Sequence, residues 1–246
     1  MQVPPTVRWI GQGVFAFTVL ILTIYLAIFA VNSMHRRNAE SLLRDVRTLK
    51  VGESKTEDVQ RIMFRYGGGP TQGHSSFCDS ADAAYGTSVG SRTLNRVGQA
   101  VPILRHLGLR PWTLGVMVLS EQGRVCFVSY QLFMNDSVGK WTWSFRSWAL
   151  PAGKMETPNR EHPGYSVRTQ DLRDLRILWS EVTTQATEEE RLHAFTFDLS
   201  CVTRVGGCKQ RCEVAPFAWQ DLYRESQKMQ WALPTEETSD SRCAIH

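Results

Sequence analysis

Gly86-Thr87-Ser88-Val89-Gly90 has the spacing of a GxSxG nucleophile elbow, the motif in which a sharp strand-to-helix turn presents a serine beside an oxyanion hole. To act, Ser88 needs a downstream acid and base such as Asp198 and His193. Those two lie five residues apart in a stretch that reads as one strand, so they point to opposite sides of it. The residues preceding the motif also lack the pattern of a buried parallel strand. His74, Cys78 and Asp79 place a base beside a second nucleophile, although catalytic Cys-His pairs are normally built in space by the fold. Gly67-Gly68-Gly69 lacks the Lys-Ser/Thr of a phosphate-binding loop and follows a helical pattern, where a phosphate cradle precedes one. It reads as a helix stop. The histidines at 35, 106, 162, 193 and 246 show no HExxH or related spacing.

The six cysteines, Cys78, Cys126, Cys201, Cys208, Cys212 and Cys243, are the other reactive set. An even number behind an apolar N-terminal segment is what a disulfide-bonded extracytoplasmic domain carries, and six thiols allow fifteen pairings. Cys201, Cys208 and Cys212 are close enough for local bridging, with Gly206-Gly207 supplying a turn. A zinc site would need a fourth ligand from Cys243 or a distant histidine, and the paired CxxC spacing of structural zinc is absent. The sequence therefore assigns no catalytic residue, no cofactor and no metal. It leans against an enzyme, with a hydrolase using Ser88 or Cys78 as the alternative.

These residues must be positioned by a chain that starts in a membrane. The run from Val14 to Val31 is eighteen residues without a charge, Gly or Pro. As a helix it is about 27 Å long, close to the roughly 30 Å of a bilayer core. Twelve of its residues are Leu, Ile, Val or Phe, which is on the order of 5 kcal/mol in favour of insertion. It exceeds the roughly 7 to 15 apolar residues of a cleaved signal peptide. The predicted organisation is a tail over 1–13, an anchor over 14–33, an α+β domain over 38–232 and a polar tail over 233–246. The bilayer is thus one partner, through Val14 to Val31.

Which side the domain occupies divides the signals. Arg36, Arg37, Arg44 and Arg47 after the run outnumber Arg8 before it, which by the positive-inside rule favours the cytoplasm. The cysteines favour the extracytoplasmic side, which is the expectation taken forward. A cytoplasm-facing domain with reduced or zinc-bound cysteines is the alternative. Beyond residue 37 the charge is close to even, because Arg8, Arg36 and Arg37 account for three of the excess basic residues among 28 Lys and Arg against 24 Asp and Glu. That balance excludes a basic nucleic-acid face.

Along the domain, Leu42, Leu43, Val46 and Leu49 make the apolar stripe of a short helix. Ser54 and Glu57 fit a capping box for a second, with Gly67 at its left-handed end. Residues 71–111 read as loop with a strand near 84–89. Residues 112–119 and 124–134 form a hairpin about 120–123, and Trp141, Trp143 and Phe145 alternate with polar residues as in a half-buried strand. With Trp148 they make either core or a ligand-stacking surface. A second hairpin is expected from 175–184 and 192–201 around the acidic turn 187–190, and Pro216 opens a C-terminal helix to about residue 228. The fold class is α+β: a transmembrane helix, two short helices, an antiparallel β-meander and a C-terminal helix.

Two helices followed by such a meander, with Gly52-x-Ser54 before the second helix, Val59 within it and Gly68-x-Pro70 after it, resemble the SmpA/OmlA (BamE-like) envelope domain family over residues 42–70. The resemblance implies a periplasmic, non-catalytic binding module. The chain departs from that family in having no cysteine directly after the apolar run, its first being Cys78. The expected function is a membrane-anchored interaction module of the cell envelope, binding a protein or envelope component.

Overall fold

The computed structural model describes residues 5–72, 76–90, 92–101, 110–135, 142–155, 162–172, 175–204 and 206–229. The polar tail 233–246, Cys243, Trp141, His74, His106 and His246 lie outside them.

Helix α1 runs without a break from Pro5 to Arg47. The sequence separates an anchor from a short helix beginning near Asn38; the structure joins them, since no Gly or Pro stands between Gly13 and Gly52 to interrupt the hydrogen bonding. Two environments share this one rod. In its first half Phe15, Phe17 and Leu20 are 71%, 64% and 55% exposed, an apolar surface that water would not tolerate and lipid would. It is the one helix among the described residues long and apolar enough to cross a membrane. In its last turns Ala39, Leu42, Leu43 and Val46 are buried in the domain core, as is Leu49 just beyond its end.

Gly52, with φ 81°, turns the chain out of α1. Residues 52–56 then zip along the tip of a hairpin: Gly52 N–H donates to Val125 O at 2.7 Å, Val125 N–H to Ser54 O at 2.9 Å and Thr56 N–H to Gly123 O at 3.0 Å. These bonds keep Lys55 extended, so helix α2 (Thr56–Arg65) starts later than the capping pattern suggests. The reciprocal bond is Lys55 N–H to Asp58 at 3.4 Å, while Ser54 Oγ accepts from Lys50 N–H. Val59 and Met63 face the core, and Gly67, with φ 71°, closes the helix as expected. Gly68 is needed for a different reason: a Cβ there would lie 2.5 Å from Gly86 O and Thr87 Cβ.

The sheet consists of β1 (Gly69–Pro70), β2 (Ala83–Val89), β3 (Trp112–Glu121), β4 (Arg124–Asn135), β5 (Thr142–Leu150), β6 (Tyr165–Asp171) and β7 (Leu175–Thr183). Its order is β1-β2-β3-β4-β5-β7-β6. A short helix, α3 (Arg92–Ala100), connects β2 to β3. The β2 to β5 portion is the expected antiparallel meander, and the two-residue β1, in a stretch read as a helix stop, adds to its edge. At the β3–β4 turn Gln122 and Gly123 both have positive φ, the geometry that matches strand twist in a two-residue hairpin.

The second expected hairpin does not form. β7 lies parallel to β5 and antiparallel to β6, and residues 188–195 are a helix, α4 (Glu188–Phe195). The deciding signal is local. Thr187 Oγ1 accepts from Glu190 N–H at 3.2 Å and the Glu190 carboxylate accepts from Thr187 N–H at 2.8 Å, a capping box that commits this stretch to a helix. The alternation of His193, Phe195 and Phe197 that suggests a strand is overridden by this cap and by burial of Arg191, Ala194 and Phe195 on one helical face. Helix α5 (Pro216–Met229) follows as expected.

The main core lies between one face of the sheet and helices α1, α2, α4 and α5. Leu114, Val116 and Val118 of β3 meet Tyr130, Leu132 and Met134 of β4 and Trp143 and Phe145 of β5, with Trp219 and Leu222 from α5. Tyr130 packs on Phe195 at 4.8 Å between ring centroids, and burial raises its phenol far above the usual range. A smaller cluster of Cys78, Leu119, Cys126, Phe127 and Leu150 occupies the other face.

Between α4 and α5, the Cys201–Cys208 loop is held by Glu213, whose carboxylate accepts from Arg204 and from the Lys209 amide, each at 2.6 Å. Burial raises this carboxyl, but the Lys209 amide and the Arg204 guanidinium outweigh it and hold it below the usual 4.5. A carboxyl lowered by folding contributes stability above its unfolded pKa and loses it as pH falls through the folded value. Unfolding curves below about pH 4.5 are therefore expected to be less pH-sensitive in Glu213→Gln than in the native chain. Identical acid-side slopes would remove Glu213 from the account.

Candidate functional site

The structure disperses the residues with nucleophile spacing. Residues 86–89 all lie within strand β2, with Ser88 opposite Gly115 of β3, so the pentapeptide makes no strand-to-helix elbow. Asp198 is occupied by the Ser200 amide at 2.8 Å. His193 sits on α4, its ring stacked on Phe217 at 4.9 Å and its Nδ1 2.8 Å from Asp221. Asp221 also accepts from Tyr165 at 3.0 Å, and burial and Asp221 push that phenol well above its usual range, so it remains a donor. This junction ties α4, α5 and β6 together within the helical layer. His162 pairs with Glu190 at 2.8 Å.

The cysteines among the described residues are disulfide-bonded. Cys78 joins Cys126, which removes it as a thiol nucleophile, and Cys201 joins Cys208 about the positive-φ glycines Gly206 and Gly207. Cys212 is disulfide-bonded as well. No group of His, Cys, Asp and Glu that could hold a metal ion occurs among the described residues. A groove of about 320 Å³ lies between the end of α1 and α2. Its charges are mutually paired, Arg65 to Asp45 at 2.7 Å and Arg61 to Asp58.

The aromatic series divides between faces by strand parity. Trp143 and Phe145 enter the helix-side core, while Trp148 stands on the opposite face. There an aromatic chain runs from Phe77 to Phe127 (5.4 Å) and Trp148 (5.6 Å), then from Trp148 to Trp179 (6.4 Å). The parallel pairing of β5 with β7 sets Arg146 opposite Trp179 and Trp148 opposite Glu181. Trp179 is thereby bracketed by two guanidiniums, Arg146 at 5.4 Å and Arg168 at 4.7 Å from the ring centre. Such stacking is favourable by about 0.5–2 kcal/mol according to exposure.

The two arginines differ in their partners. Arg168 forms an ion pair at 2.9 Å with Glu181, which is only 1% exposed. Arg146 bonds neutral groups: Ser144 Oγ at 3.3 Å, and Gln131, whose amide oxygen accepts at 3.0 and 3.2 Å when turned toward the guanidinium. Burial alone lowers the pKa of Arg146. Period-two reading could place Arg146 and Trp148 on one face of β5. It could not bring Trp179, Glu181 and Arg168 to them, because the neighbour of β5 is set by a crossover that skips β6.

No family model, curated protein or solved structure matches this chain. Its class is defined by its own architecture: an α+β domain with disulfides, carried on a single helix able to cross a membrane.

Proposed function

We propose that the chain is a non-enzymatic interaction module of the cell envelope, anchored through Val14 to Val31, with its domain on the extracytoplasmic side and its outer sheet face turned to a protein or envelope component. The observation that carries this reading is the continuity of α1, which passes from an exposed apolar segment into the domain core without a hinge. Such a rod holds the domain at a set height and angle on the membrane, as suits presentation of a binding face. The disulfides support the extracytoplasmic side, since oxidised cysteines persist there and are rare in cytosol. They weigh against the basic flank of the apolar run. The resemblance of residues 42–70 to the SmpA/OmlA (BamE-like) domains adds support for a binding role in the envelope.

Protease accessibility tests the placement. In intact cells with a permeable outer barrier, the domain is expected to be cleaved while α1 remains in the membrane, and inverted vesicles are expected to protect it. Protection in cells and cleavage in inverted vesicles would overturn the reading. A serine-reactive phosphonate that labels the native chain and spares Ser88→Ala would restore the hydrolase.

A further inference from the structure

The outer sheet face carries one cation whose partners are all neutral. Among the described residues no carboxylate meets Arg146, and its Nη1 has no protein acceptor. The indole N–H of Trp179, on the same patch, is buried without an acceptor as well. Because Arg168 is neutralised by Glu181, the patch holds one net positive charge, which matches a monoanion better than a phosphate dianion. Gln131 and Ser144 take the Nε–Nη2 edge of the guanidinium, which leaves its Nη1–Nη2 edge, one that can grip a carboxylate with two parallel hydrogen bonds.

Apolar groups flank this edge. Gln131 pairs with Arg146 across the β4–β5 ladder, and Phe133, 37% exposed, is the next residue of β4 on the same face. Diagonal neighbours of this kind are within reach of large side chains. Trp148, two residues along β5 from Arg146, flanks the other side.

We propose that Arg146 and Trp179 bind a carboxylate carried beside an apolar side chain, as an acidic peptide segment of a partner protein presents it. The inference rests on the reading of the outer face as the interaction surface, and it names the chemistry of what that surface takes.

The test uses the full chain in detergent micelles with nitrogen-15 in the tryptophan indoles, the Trp179 resonance being assigned by its loss in Trp179→Phe. Phenylacetate is the probe, phenylacetamide its uncharged counterpart and phenyl phosphate the dianion. Phenylacetate is expected to shift the Trp179 signal saturably, with phenylacetamide at least about tenfold weaker, since a charge-assisted bond is about twice as strong as a neutral one. Arg146→Gln is expected to abolish the shift while leaving the Trp112, Trp143 and Trp219 signals in place. Equal binding of phenylacetate and phenylacetamide to the native chain would overturn the proposal without recourse to any variant. So would undiminished binding in Arg146→Gln, or tighter binding of phenyl phosphate, which would point to lipid headgroups. Any of these outcomes sinks the carboxylate site alone, because the envelope reading is judged separately by protease accessibility.

Discussion

Arg211→Ala is expected to destabilise the domain by about 2–4 kcal/mol, the cost of emptying the space of a large, fully buried side chain and losing its charge-assisted hydrogen bonds. Arg211, in a short helical turn over residues 211–213, reaches with a fully buried side chain to the sheet edge. Its Nη1 reaches Thr169 Oγ1 at 2.7 Å and Asp171 Oδ1 at 3.0 Å, and its guanidinium lies 5.2 Å from the centre of the Trp219 ring. One side chain thus links β6 to α5. Removing it leaves a cavity against Trp219, while Asp171, with a third of its side chain exposed, keeps solvent and Arg176 at 3.8 Å. On a domain of this size the loss corresponds to a fall in Tm on the order of 10 °C. Arg211→Met refills most of the cavity with an apolar side chain, so it is expected to recover much of the loss. If Arg211→Met were no more stable than Arg211→Ala, packing would not be the cause.

The second large effect concerns the disulfides, and their order is the informative part. Cys78–Cys126 closes a loop with a sequence separation of 48 and Cys201–Cys208 one of 7. Chain-entropy reasoning puts their contributions at about 4 and about 2.5 kcal/mol. The long bridge also pins Phe77 over Phe127 and Trp148. Denaturation of Cys78→Ala/Cys126→Ala and Cys201→Ala/Cys208→Ala, each against the native chain, is expected to show the larger loss in the first. A larger loss from opening the short loop would show that its packing against α1, through Arg36 and Thr203 at 2.9 Å, outweighs chain entropy. Thiol titration of unfolded protein from native membranes, with and without reductant, checks that the bridges exist; six free thiols would remove both expectations and return the domain to a reducing compartment.

Much of the fold was legible because its signals are short-range. An unbroken apolar run states a helix and its environment together, Gly67 marks a left-handed helix end, and Gln122-Gly123 between two apolar alternating runs makes a hairpin turn. Even the principal error had a local remedy: Thr187 and Glu190 cap α4, and that spacing outranks the alternation after it. Strand β6 was hidden because its residues, YSVRTQD, carry little apolar alternation; it is an edge strand with one partner.

By itself the sequence determined the long apolar helical segment, the α+β class, the β2 to β5 meander and the availability of cysteines for bridging, since each follows from composition or from residues within one turn of one another. Tertiary structure alone decided that α1 is a single rod from the exposed apolar segment to the core, that Cys78 pairs with Cys126, that Ser88 and His193 lie in separate layers, and that Arg146 and Arg168 bracket Trp179. Those outcomes depend on which strand becomes a neighbour and on which face a helix covers. Both are settled by burying the whole apolar surface at once, and no stretch of sequence encodes that condition alone.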